Sequence, residues 1–190
     1  MEAGIELTAI DFETTGSVRG YKNQPWQIGL VAFTSTDVFN QYESLLYVGD
    51  RPFNKYAPGR HSQLREELKQ SPSLAELWQE ISPRLVGRIL VAHNIGTERT
   101  MLKQAAPMHR FDFWIDTLAL SRCVWKGLSS YALEDLIVIL QLKGKIDMLC
   151  PNREAHDALY DAVACAVLLQ HIVSLPGWDK LSLEDLAAMS

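Results

Sequence analysis

The sequence predicts an α/β fold in which a mixed β-sheet carries helices on both faces. The first third of the chain contains three strand-like segments, and the short connection between the second and third makes them an antiparallel hairpin. Helical patterns then alternate with short apolar strands, an order typical of strands covered by helices on both sides. The chain has 190 residues without repeats or low-complexity tracts, so we expect one domain over residues 1–190.

Composition and charge exclude several classes of protein. No apolar span is long enough to cross a membrane, and the N-terminus has no basic region followed by an apolar core, so we expect neither a membrane nor a secreted protein. Cys123, Cys150 and Cys165 form no Cys-x-x-Cys pair, which disfavours a zinc site and favours a reducing cytoplasm. The net charge of −5 disfavours a protein that coats DNA, but allows an enzyme that binds a few nucleotides through metal ions.

The strands are predicted from apolar runs bounded by turn residues. Residues 5–11 are mostly apolar, residues 26–34 suit a central strand, and residues 38–48 alternate and are rich in Tyr, Phe and Val. Two prolines and a glycine between residues 50 and 61 indicate a loop. Two compact apolar runs later in the chain complete the set, at residues 88–92 and 111–115.

The helices are predicted from apolar residues at helical spacing and from the residues that end each run. Residues 62–69 form a short helix, and Ser-Pro-Ser at 71–73 begins another that continues to Leu85. Pro107 stops the helix that follows the fourth strand. The remaining helices are expected at residues 97–105, 117–125, 131–142 and 154–173, with a short one after Ser182.

Two carboxylates, Asp11 and Glu13, stand at the end of the first strand. Because a strand has a period of two residues, both project from the same face. Carboxylates a few ångströms apart repel each other, so a raised pKa or a bound cation must compensate. Thr14, Thr15 and Gly16 follow and leave the backbone open to a ligand. For this pair taken alone, a solvated strand end is the alternative.

Two further acids follow the later strands. Glu98 lies in the first turn of a helix, where the helix dipole favours a carboxylate. An ordinary helix start with Thr97 as the N-cap would explain the same pattern. Asp116 ends the last strand, and we favour a structural role for it as a helix N-cap.

Asp161 and His156 lie at the start of the longest predicted helix. On that helix Asp161 lies on an apolar stripe of mostly small residues, which would bury its carboxylate in part. A surface carboxylate near the helix start is the alternative. His156 precedes Asp161 by five positions, about 140° around a helix, so the two meet only if His156 lies at a frayed helix start.

Together these residues are the set expected at the active site of a two-metal phosphodiester hydrolase: Asp11, Glu13, Glu98 and Asp161, with His156 beside the last. Two divalent ions about 3.5–4 Å apart would activate a water and stabilise the leaving oxygen. Oxygen ligands suit Mg²⁺ or Mn²⁺. The histidine would take a proton from the attacking water, a common role of an imidazole in general base catalysis.

These motifs resemble those of the DEDDh 3′–5′ exonucleases, the group of the epsilon proofreading subunit of bacterial DNA polymerase III and RNase T. Residues 11–16, Asp-Phe-Glu-Thr-Thr-Gly, match the family's first motif, residues 91–94 open its second, and residues 156–161 match His-x4-Asp, its third. Residues 115–122 and 130–136 resemble two further family segments. The likeness covers nearly the whole chain.

The resemblance implies an RNase H-like fold with a five-stranded mixed sheet, three antiparallel strands being followed by parallel strands. It implies that Asp11, Glu13 and Asp161 hold metal ions, that Glu98 helps with the second metal, and that His156 is the general base. The family's second motif usually ends in Phe-Asp, where this chain has Thr97 and Glu98. The longer Glu side chain keeps the charge.

The resemblance also implies where the substrate binds. Residues just after the second acid hold the terminal nucleotide in this family, which assigns that role to Thr14 and Thr15, with Asn94 close to the site. Phe12, Trp26 and Met101 are candidates to stack on the terminal base or wedge beside it.

We therefore expect a 3′–5′ exonuclease that releases nucleoside 5′-monophosphates from single-stranded DNA or RNA, with DNA favoured. The substitution at Glu98 leaves an alternative, a weakly active or inactive module that binds nucleic acid or a polymerase. A structural protein with solvated acids is a third and weaker hypothesis. A DNA polymerase is a candidate partner, although we favour a stand-alone enzyme.

Overall fold

The first strand of the chain lies at the centre of a five-stranded mixed sheet. The strands are β1 (Leu7–Thr14), β2 (Pro25–Phe33), β3 (Val38–Leu45), β4 (Leu90–Ala92) and β5 (Trp114–Asp116). In the computed structural model, which describes residues 4–190, their order is β3-β2-β1-β4-β5. β1, β2 and β3 pair antiparallel, and β1, β4 and β5 run parallel. The predicted mixed sheet is confirmed, and residues 1–3 of the expected domain lie outside the described residues.

Helices cover both faces of this sheet. They are α1 (Arg65–Gln70), α2 (Trp78–Leu85), α3 (Gly96–Ala105), α4 (Thr117–Val124), α5 (Leu133–Ile139), α6 (Lys143–Leu149), α7 (Ala158–Ser174) and α8 (Leu183–Ala188). α2 and α3 contribute to one apolar cluster, and α4 to α8 contribute to another. None of the described helices combines the length and the apolar character that crossing a membrane requires.

The side chains of β1 alternate between the two apolar layers. Leu7 and Ala9 pack in the same layer as α7, whereas Phe12 packs in the layer of α2 and α3. Since neighbours two apart share a face, Asp11 and Glu13 continue the row of Leu7 and Ala9. The strand therefore carries both carboxylates toward α7, on the face that the sequence predicts.

α7 packs closely against β1 and β2. It is apolar on nearly every side and buried over most of its length, as expected of a helix without a polar face. Gly29 of β2 lies directly beneath its first residue. A Cβ atom at Gly29 would lie 2.1 Å from the carbonyl oxygen of Ala158, so only glycine allows the helix this approach.

Two helix predictions are wrong. The helix expected at residues 131–142 ends early, at Ile139 of α5, because Gln141 adopts a left-handed conformation (φ 57°) before α6 begins at Lys143. α6 itself is absent from the sequence-based expectation. The helix expected from residue 154 begins at Ala158, because the Asp157 side chain caps it by accepting from the amides of Leu159 and Tyr160.

Smaller differences concern the ends of elements. β1 continues past residue 11 to Thr14, so that Asp11 and Glu13 lie within the strand. The helix expected from residues 71–73 begins at Trp78, after turns. β4 is shorter than residues 88–92. These shifts leave the order and type of the elements unchanged.

We expect Gly29→Ala to destabilise the protein by about 3 kcal/mol or more, because the new methyl group meets rigid backbone. Gly144→Ala is a matched control: its Cβ would meet nothing within 4 Å, and alanine favours a helix interior. Urea unfolding of both variants tests the close packing of α7 on β2. Equal stability of the two variants would contradict it.

Candidate active site

The two acids of β1 lie at a place where the sheet meets α7. Asp11 stands opposite Gly29 of β2, and Glu13 stands opposite Gln27. Glu13 is buried and Asp11 is half-buried. The pairing with β2 becomes irregular directly after Glu13, so the regular ladder ends where the carboxylates stand.

The start of α7 brings Asp161 and His156 to Glu13. One ligand atom from each of Glu13, His156 and Asp161 lies within 4.8 Å of the other two. His156 is not part of the helix but adopts a left-handed conformation (φ 67°), and its backbone N–H donates to Oδ2 of Asp161 at 3.0 Å. His156 and Asp161 can therefore meet, as predicted for a histidine outside the regular helix, because the chain turns sharply before the helix begins.

Burial and neighbouring charges act on the acids of the site. Burial, followed by the charges of Asp161, Glu98 and Glu13, raises the pKa of Asp11 well above its usual value. Burial and the nearby Asp161 charge raise the pKa of Glu13 to about 8, and burial raises that of Asp161 to about 7. Among the described residues, Asp11 is not part of the 4.8 Å group. Its link to the other acids is the effect of their charges on its pKa.

Glu98 lies in the first turn of α3, as predicted. Thr97 is not the N-cap, because the helix begins at Gly96 and Ile95 occupies the cap position. The Glu98 side chain is buried, and its Oε2 atom has no hydrogen-bond partner among the described residues. Burial raises its pKa to about 8, and the Asp116 charge adds to this effect. A buried carboxylate oxygen without a partner requires a proton or a cation.

Asp116 is the predicted N-cap. Its carboxylate accepts from the amide of Leu118 at 2.9 Å, and also from the amides of Asn94 at 2.9 Å and Ile95 at 3.4 Å. It therefore fixes both the start of α4 and the turn that precedes α3. Glu98 is held in place through that turn.

A cavity of about 390 Å³ opens beside three of the four acids, whereas Asp161 and His156 line a second cavity of about 770 Å³. Asp11, Glu13 and Glu98 line the first cavity, together with Thr14 and Asn94. Thr14 and Asn94 are thus close to the site, as expected. By contrast, the buried Thr15 hydroxyl faces inward, where it donates to Oδ1 of Asn23 at 3.2 Å and accepts from the amide of Gln24 at 3.1 Å.

An ion-pair network that the sequence analysis missed supports the turn at His156. The buried Asp157 carboxylate accepts from Arg153 at 2.8 Å and from Gln27 at 3.2 Å, and Arg60 lies 3.3 Å away. Burial would raise the pKa of Asp157, but the hydrogen bonds from Arg153 and Gln27 hold it below its usual value. An Asp directly before an apolar helix is a recognisable cap signal, whereas its distant partners leave no local pattern.

Glu134 is a second residue that the sequence analysis missed. It lies in the first turn of α5, and its Oε2 is 3.4 Å from Nε2 of His156. Both side chains are exposed at the surface. No feature of the sequence around Glu134 indicates this contact.

The three residues expected to stack on a terminal base are buried. Phe12, Trp26 and Met101 are 5%, 1% and 3% exposed, and of these only Phe12 reaches the cavity of the acids. Trp26 and Met101 fill apolar clusters of the core away from this cavity, so the expectation is wrong for them, whereas for Phe12 it stays a prediction.

Comparisons with known proteins find similar exonucleases. A protein-family model described as Exonuclease (RNase_T) matches residues 8–169. The chain is 27% identical over 181 residues to the "3′-5′ exonuclease DinG" of Staphylococcus haemolyticus, covering 93% of this chain but only 19% of that protein. It is 25% identical over 179 residues to the DNA polymerase III subunit epsilon of Treponema pallidum, covering 90% and 77% of the two chains.

Solved structures agree as well. The structure described as Exonuclease X in complex with 5′ overhanging duplex DNA superposes with a TM-score of 0.66 at 25% identity, covering 96% of this chain and 98% of that chain. This match confirms the RNase H-like fold that the sequence resemblance implies. The chain spans about a fifth of the length of the DinG relative.

We expect the metal-free protein to lose stability as the pH rises from about 5 to about 8. Glu13 and Glu98 keep their protons up to pH values near 8 in the folded state, whereas unfolded acids release theirs near their usual pKa of 4.5. The folded state therefore holds more protons in this window, and the free energy of unfolding falls as the pH rises. Melting temperatures measured in EDTA across this range test it.

Added Mn²⁺ should reverse this loss, and its effect should be larger at pH 8 than at pH 5.5, because deprotonated carboxylates bind the ion. An Asp161→Asn variant should show a flatter pH profile. A melting temperature that rises with pH in EDTA would contradict the cluster.

Proposed function

This chain belongs to the RNase_T exonuclease family, and from that membership we propose that it is a metal-dependent 3′–5′ exonuclease of the DEDDh type. Its substrate is the 3′ end of single-stranded nucleic acid, with DNA favoured, and its products are nucleoside 5′-monophosphates. The convergence of Glu13, His156 and Asp161 within 4.8 Å carries this proposal, because β1, the turn before α7 and the first turn of α7 bring them together from distant parts of the chain.

The residues of the site fit divalent metal ions. Asp11, Glu13, Glu98 and Asp161 offer carboxylate oxygens, the ligands that Mg²⁺ and Mn²⁺ prefer. The Oε2 atom of Glu98 is buried without a partner among the described residues, as expected of an atom that needs a cation. We propose that these four acids hold two ions. When bound, the ions would activate a water and neutralise charge on the leaving oxygen.

We propose His156 as the general base. Its ring lies beside Glu13 and Asp161, so a ring nitrogen can accept the proton of a water that attacks the terminal phosphodiester. The bond between phosphorus and O3′ breaks and O3′ takes a proton from solvent, which leaves a hydroxyl group on the shortened strand and the phosphate on the released nucleotide. The side chain is 44% exposed, so the proton can pass to solvent.

Thr14 and Asn94 are proposed to contact the terminal nucleotide, because both line the cavity of the acids. Thr15 takes a supporting role in this scheme. Its backbone N–H donates to the carbonyl of Gln24 at 2.8 Å, and its carbonyl accepts from Asn54 at 2.8 Å, so it joins the segment after Glu13 to two loops.

Names of relatives support the choice of substrate and partner. One relative is a DNA polymerase III epsilon subunit, and Exonuclease X was solved with 5′ overhanging duplex DNA. We propose DNA as the substrate, with a DNA polymerase as a candidate partner. We further propose that residues 1–190 form one exonuclease domain that acts in the cytoplasm, where the free cysteines Cys123, Cys150 and Cys165 would stay reduced.

We expect the purified protein with Mn²⁺ to release nucleoside monophosphates from a 3′-labelled single-stranded DNA. EDTA should abolish release, and Asp11→Asn should lower the rate by at least about a hundredfold, because it removes a metal ligand. Glu66→Gln is the matched control, since this acid of α1 is 80% exposed and does not line the cavity. Its rate should equal that of the wild type.

Release that survives EDTA or Asp11→Asn would remove this mechanism. The same assay tests the alternative of a weakly active binding module, which Glu98 motivates. A large gain of rate in Glu98→Asp would favour that module, whereas an unchanged or lower rate would favour the enzyme.

A further inference from the structure

Two loops beside the cavity of Asp11 and Glu13 carry an excess of positive charge. Residues 17–24 and 50–60 contain five basic residues and one acid, although the chain as a whole has a net charge of −5. The charges of the protein are therefore unevenly distributed, with cations concentrated on loops that adjoin a cluster of carboxylates.

The loop at residues 17–24 follows the end of β1 closely. The side chain of Asn23 donates to the hydroxyl of Thr14, which lines the cavity, at 3.2 Å. Arg19 lies in the tight turn at the tip of this loop. Arg19 and Lys22 are exposed, and neither forms an ion pair among the described residues.

The loop at residues 50–60 forms part of the cavity wall. The exposed Tyr56 lines the cavity, and Nζ of Lys55 lies 4.7 Å from the centroid of its ring. Lys55 is also exposed and has no acidic partner within residues 4–190. Its ammonium group therefore lies close to the mouth of the cavity.

Hydrogen bonds join the two loops to each other and to the strand end. The Arg51 guanidinium donates to the carbonyls of Val48 at 2.6 Å and Lys22 at 2.8 Å. The backbone N–H of Asn54 donates to the carbonyl of Thr15 at 2.8 Å. Two loops that are distant in sequence therefore form one connected surface beside the acids.

Three of the five cations are left for a ligand. Arg51 is bound to backbone carbonyls, and Arg60 lies 3.3 Å from the Asp157 carboxylate. The other three have no acidic partner among the described residues, and we call them the basic rim: Arg19, Lys22 and Lys55.

A nucleic acid that approaches this site meets charge of its own sign. Each nucleotide of a strand brings a negative phosphate group, and carboxylates line the cavity. Metal ions bound to those carboxylates would act on the phosphate that reacts, whereas phosphates farther along the strand need other cations. Lysine and arginine side chains are the usual contacts for such phosphates, and the basic rim offers both.

We infer that the basic rim binds phosphate groups of the substrate strand outside the bond that is cleaved. This inference rests on the proposed function and names a property of its substrate, which must be long enough to reach the rim as well as the acids. Since phosphate contacts carry no sequence information, the rim adds the same affinity for every sequence. Its three residues hold the substrate and take no part in the chemistry.

The test uses a triple variant, Arg19→Gln with Lys22→Gln and Lys55→Gln. On a DNA single strand of about 20 nucleotides in about 50 mM salt, the variant should raise KM at least about tenfold with kcat nearly unchanged. On a dinucleotide, whose only phosphate is the one that reacts, KM should equal that of the wild type. Unchanged KM on the long strand would overturn the inference, and so would an equal rise on both substrates.

A second triple variant is the control for net charge. Lys103→Gln, Lys126→Gln and Lys180→Gln remove the same charge from exposed residues that line neither cavity of the site. This variant should leave KM unchanged on the long strand. A rise as large as that of the rim variant would overturn the inference, because net charge alone would then explain the effect.

A binding measurement separates this inference from the proposed function. Fluorescence anisotropy with a labelled strand of deoxythymidines in EDTA gives the dependence of affinity on salt. The slope of log K against log salt should be less steep in the rim variant by about 0.7 for each cation removed. If the wild type releases no nucleotide, the proposed function fails, and this slope still decides whether the rim binds phosphates. Equal slopes, or no binding by the wild type, would overturn the inference.

Discussion

The central constraint on this structure is that the fold holds carboxylates that repel one another in neighbouring, partly buried positions. Asp11 and Glu13 belong to the central strand, Asp161 to α7 and Glu98 to α3. A conformational change in one element alone therefore cannot separate all four acids. Burial and neighbouring charge raise the pKa of each of these acids. Such a cluster is costly unless protons or cations neutralise it, and that need connects the fold to its chemistry.

The position of α7 follows from features outside the cluster. Gly29 allows the first residue of the helix to approach β2, and Asp157 caps the helix while it binds Arg153 and Gln27. The turn before the helix then places His156 beside Asp161. Removing the charge of Asp157 would leave Arg153 without a buried partner and loosen the turn that carries the histidine.

Much of the site could be predicted from the sequence, because strand period and helical spacing are local properties. They placed Asp11 and Glu13 on one face and Asp161 on a buried stripe. What they could not show is which loop covers the site. The inward hydroxyl of Thr15, the burial of Trp26 and the exposure of Tyr56 are set by contacts between distant segments. Left-handed turns at non-glycine residues, as at Gln141 and His156, also leave no reliable pattern, so α6 and the start of α7 were missed.

Crystals grown with Mn²⁺ and a nucleoside 5′-monophosphate would test the central claim most directly, through anomalous diffraction at the manganese edge. We expect two peaks about 3.5–4 Å apart, with oxygen atoms of Asp11, Glu13 and Asp161 as ligands. Absence of manganese at these acids, or peaks bound only by other residues, would contradict the proposal that divalent cations hold the cluster together.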